Sequence, residues 1–240
     1  MKVAEYLSVR GILESNTLVN ALTEEQMVFL ASQSRIARCE KGEQIWVNHR
    51  DVGFFGIVGA GFIKMVKSCP GGAEVTLEIM GPSQMFGLLG VIDGTGCPLM
   101  AYGMSDTVYL KVPKAALLEV YGSNHIFKDR LVRKTALRIH QKLDFISMLA
   151  SAKADARIAA VLFILAESYG KPIGDAIRLE LPLTRQQIGE MAGTTTETTI
   201  RVISRWTRQG LIVSDHQCIT INAPEVLLSR PSGQRNSAWE

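Results

Sequence analysis

The spacing of apolar residues changes character twice along the chain. Up to about residue 30 the pattern is mixed, and "LTEEQMVFLASQS" (22–34) predicts a short helix capped by the Thr23 hydroxyl. From Ile36 to Val112 the period falls to two. Alternating runs such as "GEQIWV", "GFFGIVGAGFIKMVKS", "AEVTLEI" and "DTVYLKV" are separated by the turn sequences "CPGG" and "IDGTG". Short strands at this regular spacing predict a compact antiparallel roll or barrel. After Pro113 the period is helical. Val132, Ala136, Ile139, Leu143, Ile146 and Ala150 recur at steps of 4, 3, 4, 3 and 4, the seam of a coiled coil. A second apolar set, Leu131, Leu137, Phe145 and Leu149, lies beside it. Two apolar faces predict two partners, the helix's own domain and a second copy of the chain, so the seam is the expected homodimer interface.

Further on, "ADARIAAVLFILAESYG" (154–170) predicts an amphipathic helix stopped by Gly170 and Pro172. Another helix starts at Arg185, and "GLIVSDHQCITI" predicts a hairpin turning at Asp215-His216-Gln217. Between these lies "TTTETTIRVISRW" (194–206), rich enough in β-branched residues to suggest a strand. Its spacing decides otherwise. Val202, Ile203 and Trp206 form one stripe, and Glu197, Arg201, Arg205 and Arg208 form another at steps of 4, 4 and 3. The threonines belong at a helix start, where their hydroxyls satisfy free N–H groups. Thr194 with Glu197 fits a capping box, and Thr195 is the cap if the boundary lies one residue later. Gly193 marks the tight turn between the two helices. Three helices followed by a hairpin outline a winged helix-turn-helix.

That outline carries chemistry for DNA. An arginine bridges guanine O6 and N7 in the major groove, and a glutamate accepts from cytosine N4. Thr184, Arg185, Thr195 and Thr198 are placed to bond phosphate oxygens, which fix register without reading sequence. With Thr196, Glu197, Ile200, Arg201 and Arg205 they form the expected DNA-facing set. A plain helix with Glu197 and Arg201 as a surface ion pair is the competing reading.

Composition narrows the classes without choosing among them. The 240 residues are 47% hydrophobic and 20% charged, with a net charge of +3. The longest apolar run, "IAAVLFILA" (158–166), is too short for the ~20 residues of a membrane span, and no signal peptide follows Met1-Lys2. Four scattered cysteines, with no C-x-x-C pair and no metal-ligand spacing, fit reduced thiols in a cytoplasmic protein with no membrane partner. A small-barrel metalloenzyme of cupin type is the alternative class. It requires histidines and carboxylates around a metal, and His49 is the lone histidine of the roll.

The sequence resembles the Crp/Fnr family of bacterial transcription regulators over nearly its whole length. "TRQQIGEMAGTTTETTIRVISRW" carries the family's glutamate four residues before an arginine. "KGEQIWVNHRDVGFFGIVGAGFIKMV" resembles its roll strands, and "ADARIAAVLFILAES" the start of its DNA-binding domain. The resemblance implies an α+β chain, with a cupin-like antiparallel β-roll sensor (1–122), a dimerisation helix (123–152) and a winged helix-turn-helix domain (153–229). A polar tail (230–240) is expected to be disordered. It further implies a homodimer on a palindromic DNA site, an activator's role and contacts to RNA polymerase. Glu197 and Arg201 would read the cytosine and guanine of a TGA-containing half-site. Ile200 stands where better-known members carry a small or hydroxylic residue, and either meets a thymine methyl or packs on Thr196 and Ser204.

The sensor departs from the family. Cyclic-nucleotide-binding members use a glutamate for the ribose and an arginine-serine pair for the phosphate. In "MFGLLGVIDGTGCPLMAYG" (85–103) Gly87 and Gly90 are kept, but Leu88, Pro98 and Leu99 occupy those three positions. Lys142 and Leu143 fall where the adenine contact would lie. Cyclic AMP is therefore not the expected effector. Met85, Phe86, Leu88, Leu89, Val91, Leu99 and Met100 either line an apolar pocket for another small molecule or fill a core. Haem is a weaker option, since His49, His125, His140 and His216 are dispersed. An iron–sulfur cluster lacks its cysteines, and redox sensing rests on Cys97 alone. A roll that only dimerises, with activity set by abundance, completes the alternatives.

Overall fold

The computed structural model describes residues 7–46, 53–215 and 218–227, so His49, His216, Gln217 and the predicted tail lie outside the described residues. The chain forms two compact units that divide between Ala136 and Leu137, inside the predicted dimerisation helix.

The first unit opens with α1 (Val9–Glu14), which the sequence pattern did not predict, and α2 (Glu24–Gln33). Thr23 caps α2 as expected: its hydroxyl accepts from the Gln26 N–H while the Gln26 side chain accepts from the Thr23 N–H. The strands are β1 (Arg35–Cys39), β2 (Gln44–Trp46), β3 (Phe54–Ala60), β4 (Ile63–Ser68), β5 (Glu74–Met80), β6 (Met85–Phe86), β7 (Met100–Gly103) and β8 (Thr107–Pro113), with α3 (Leu88–Ile92) after β6. They build two four-stranded antiparallel sheets, ordered β1-β8-β3-β6 and β2-β7-β4-β5. The chain turns from β3 in one sheet to β4 in the other at Gly61, whose φ of +81° favours glycine, and a Cβ there would lie 2.5 Å from the Asp106 carbonyl oxygen.

Two cores result. One gathers side chains from both sheets, including Trp46, Val58, Ile63, Met65, Met80, Phe86 and Tyr109. The other packs the opposite face of β3 and β8 (Phe55, Ile57, Leu110, Val112) against α1, α2 and α4 (Lys114–Ser123), and takes Phe127 and Leu131 from α5 (His125–Ser151). Strand β8 is covered on both faces, which is why "TVYLKV" reads as nearly continuous apolar sequence. Asn124, buried before α5, accepts from the Phe127 N–H and donates to the Ala21 carbonyl and the Gln26 side chain, fixing the start of the long helix on α2.

The second unit holds the rest of α5, α6 (Ala154–Tyr169), β9 (Gly170–Ile173), β10 (Ala176–Leu179), α7 (Arg185–Met191), α8 (Thr196–Arg208), β11 (Ile212–Asp215), β12 (Cys218–Ile221) and α9 (Pro224–Leu227). Its sheet is ordered β11-β12-β10-β9, so the predicted two-stranded wing is part of a four-stranded antiparallel sheet. Gly170 and Pro172 do stop α6. They also form β9, an edge strand where the missing proline N–H costs no ladder bond.

Candidate nucleic-acid interface and sensor cassette

Helix α7 begins at Thr184, whose hydroxyl accepts from the Gln187 N–H at 3.1 Å while the Gln187 side chain accepts from the Thr184 N–H. Arg185 follows at the first helical position and donates to the Ser214 hydroxyl of β11, joining the helix to the wing. Burial lowers the Arg185 guanidinium from its ordinary value.

The turn into α8 is the tight one expected at Gly193. Gly193 has φ of +59°, and the Thr194 N–H donates to the Gly189 carbonyl at 2.9 Å. That bond commits Thr194 to the turn, so the helix starts one residue later. Thr195 is the cap, accepting from the Thr198 N–H at 3.1 Å. The capping box proposed for Thr194 and Glu197 is therefore not formed, and Glu197 is the second helical residue. Gly189, which the sequence reading passed over, is the point of closest approach: a Cβ there would meet the Thr199 hydroxyl at 2.9 Å and the Thr194 carbonyl at 3.1 Å. The signal for it was a glycine inside a helical pattern.

Thr199, Val202, Ile203 and Trp206 are buried, and the last three each contribute roughly 1.5–3 kcal/mol through burial. Glu197, Ile200, Arg201, Ser204 and Arg208 are exposed, while Thr196 and Thr198 are half-buried at the first turn. Its own backbone N–H, then the Thr195 hydroxyl, hold the Glu197 carboxyl below the usual glutamate range. Among the described residues Arg201 has no hydrogen-bond or ion-pair partner, so the ion pair of the competing reading is absent. Ile200 is 49% exposed and is not buried against Thr196 and Ser204. Arg205 differs from the expectation: it pairs with Asp155 in the first turn of α6, which ties α8 into its own domain and removes that arginine from the free, outward set.

On α5 all six seam residues are exposed. Val132, Ile139, Leu143 and Ile146 are between 54 and 61% exposed, and Ala136 and Ala150 are exposed with them. The second set is mixed. Leu131 is buried, Phe145 and Leu149 are half-buried, and Leu137 is 38% exposed, so it does not serve the inner face as predicted.

The cassette residues are not gathered around one space. Met85, Leu88 and Val91 pack on the helical core, whereas Phe86, Cys97 and Leu99 pack on the core between the sheets. Met100 is buried and Leu89 is exposed. Lys142 and Leu143 belong to the second unit, with Leu143 on the exposed stripe. Inside the roll the Phe86 ring stacks on Trp46 at 5.1 Å, and its centroid lies 5.7 Å from that of Tyr109. Gly56 makes room for it, since a Cβ there would lie 2.1 Å from Phe86 Cζ. Gly87, with φ of +79°, lets the chain pass close over Trp46, whose indole N–H donates to the Leu99 carbonyl. The Asp93 carboxylate is committed to the Thr95 N–H and hydroxyl. A cation does reach the cassette from outside its sequence: Lys67 donates to the Pro98 carbonyl at 3.2 Å. Burial pushes the Cys97 thiol above its usual value and Cys39 up to about 11, which leaves little thiolate for redox chemistry. His125 and His140 are exposed on α5, and no group of three or more His, Cys, Asp or Glu that could hold a metal occurs among the described residues.

The two units are a cyclic-nucleotide-binding-like roll and a winged helix-turn-helix, and comparison with known proteins agrees. Residues 37–124 match the family model of the cyclic nucleotide-binding domain, and residues 156–230 that of the Crp-like helix-turn-helix domain. The CRP-like cAMP-activated global transcriptional regulator of Mycobacterium tuberculosis is 26% identical over 230 residues, covering 94% of this chain and 98% of that protein. The global nitrogen regulator of Nostoc sp. is 26% identical over 172 residues, 71% of this chain and 77% of that one. Among solved structures, FixK2 from Bradyrhizobium japonicum superposes with a TM-score of 0.74 at 22% identity, over 83% of this chain and 99% of that one. A CooA mutant from Carboxydothermus hydrogenoformans gives 0.70 at 19%, over 92% and 98%. The chain belongs to the Crp/Fnr family of transcription regulators. Its members are regulators and not enzymes, which sets the cupin-type metalloenzyme aside.

Proposed function

We propose that the protein is a cytoplasmic, homodimeric transcription activator that reads a palindrome through α8 and does not respond to cyclic AMP. The observation that carries this reading is Arg201: an exposed guanidinium without a partner among the described residues, one turn from an exposed carboxylate, on the outer face of a helix-turn-helix. Arg201 bonds guanine and Glu197 bonds the cytosine of the same C·G pair. Ile200 meets a thymine methyl, while Thr184, Arg185, Thr195 and Thr198 hold phosphates. Activation runs through contacts with RNA polymerase. No helix among the described residues is long and apolar enough to cross a membrane.

The exposed seam of α5 supports the dimer. Covering four large aliphatic side chains at heptad spacing is favourable, and a second copy covers them with the same residues. Light scattering should report a dimer, and Ile139→Asp a monomer with weakened operator binding; a monomeric wild type would remove this part of the reading.

Two facts speak against cyclic AMP. Leu88, Pro98 and Leu99 offer no ribose acceptor or phosphate cation, and the Phe86 ring packs against Trp46 and Tyr109 inside the roll. Burying a phosphate without its arginine costs several kcal/mol. The cassette therefore either takes a different, apolar effector or serves as a filled core. Calorimetry should show no heat of cyclic AMP binding at micromolar concentration, and a saturable signal there would refute this.

A further inference from the structure

Helices α5 and α6 meet over Ala152 and Lys153, and side chains on both sides of that joint reach the reading machinery. Arg157, in the first turn of α6, donates Nη1–H to the carbonyl of Leu149 at 3.3 Å. That carbonyl is one of the last four of α5, where helix geometry leaves acceptors free and favours a positive charge. The Leu149 side chain and the Arg157 guanidinium also line the turn of the helix-turn-helix. A Cβ on Gly193 would lie 3.6 Å from Leu149 Cδ2 and 3.7 Å from Arg157 Nη1. Two residues before Arg157, Asp155 pairs with Arg205 of α8. Among the described residues the buried Arg157 Nε–H has no acceptor, so this guanidinium is held by the joint's geometry and not by complete satisfaction of its own donors.

We propose that Arg157 and Leu149 are positioning residues that lock α8 to the end of the dimer helix, and thereby set the half-site spacing the protein accepts. The inference rests on the dimer and DNA reading above. Inserting one base pair between half-sites moves one of them by about 3.4 Å and about a tenth of a turn. A reading helix locked to α5 cannot follow that displacement; one released from α5 can. Asp155–Arg205 keeps α8 attached to α6 in either case, so the freedom gained appears at the α5 end.

The test measures binding of the full chain, by fluorescence anisotropy at fixed salt, to palindromes with the optimal spacer, the spacer lengthened by one or two base pairs, and a single half-site. Wild type should lose about tenfold per inserted base pair, a factor one ordinary hydrogen bond can supply. Arg157→Ala and Leu149→Ala should each shrink that loss to about threefold or less while leaving single half-site affinity near wild type. Arg157→Lys, which keeps one donor for the Leu149 carbonyl, should fall between. Variants that weaken on every DNA but keep the wild-type spacer ratio would show a merely structural role and overturn the proposal. A wild type that binds the operator but ignores the spacer would overturn the dimer reading with it.

Discussion

The outer face of α8 and the cassette around α3 occupy the two places where a regulator of this family meets ligands, and their side chains are arranged in opposite ways. On α8 a carboxylate and a guanidinium stand one turn apart, exposed and not paired with each other. In the cassette the single carboxylate is bonded to Thr95, and apolar side chains divide between two cores. A surface that awaits a polar ligand leaves its donors and acceptors open. The cassette instead commits its polar group locally and its apolar side chains to packing. The difference teaches that a matching domain describes the scaffold, while the state of individual polar groups indicates which site is in use.

The contrast can be strained first at the closed end. Phe86→Ala removes a fully buried ring from the aromatic cluster and should cost about 3–5 kcal/mol of stability in denaturant titrations. If the loss were below about 1 kcal/mol, the ring would not be packed as described. At the open end, Gly189→Val forces side-chain atoms against the buried Thr199 hydroxyl, itself bonded to the Thr195 carbonyl at 3.0 Å. A destabilisation of about 1–3 kcal/mol is expected, with a matching loss of operator binding. Unchanged melting would mean that α7 and α8 pack more loosely than the geometry shows. Replacing the cap, Thr195→Val, should destabilise α8 by about 1 kcal/mol, whereas Thr194→Val should have a smaller effect; the reverse order would restore the earlier boundary.

The smallest effect is one of pH. The Glu197 carboxyl is held below its ordinary value, so its contribution to stability is present above the unfolded value and is lost as pH falls through the lower, folded one. NMR titration should place its midpoint below the usual glutamate range and move it upward in Thr195→Val; a midpoint at or above the model-peptide value would contradict the hydrogen bonds assigned to it.

What could be read from the sequence was local. The heptad on α5 marks out one face because helical spacing alone selects it, and its six residues are exposed in the chain. Thr23 and Thr184 sit at caps because a hydroxyl and a glutamine three residues on satisfy each other. What escaped depends on residues far apart in the chain. Phe86 meets Trp46 and Tyr109 only once β2, β6 and β8 are assembled, and Asp155 meets Arg205 across 50 positions. The cap lies at Thr195 because the Gly189 carbonyl claims the Thr194 N–H, a bond of the C-cap that ends α7 at Gly193 and that the pattern of α8 taken alone does not show. Leu137, assigned by spacing to an inner face, is exposed because the helix core reaches only as far as Leu131.

The most direct test of the account is a cycle on one base pair. Wild type and Arg201→Ala are titrated, without any added nucleotide, against a palindrome with TGA half-sites and against the same DNA with the C·G pair replaced by T·A in each half. The account predicts that wild type loses about 1–3 kcal/mol per altered half-site, that Arg201→Ala loses a similar amount on the original DNA, and that the variant no longer distinguishes the two sequences. An Arg201→Ala protein that still discriminates between them as wild type does would show that the open pair on α8 is not the reader.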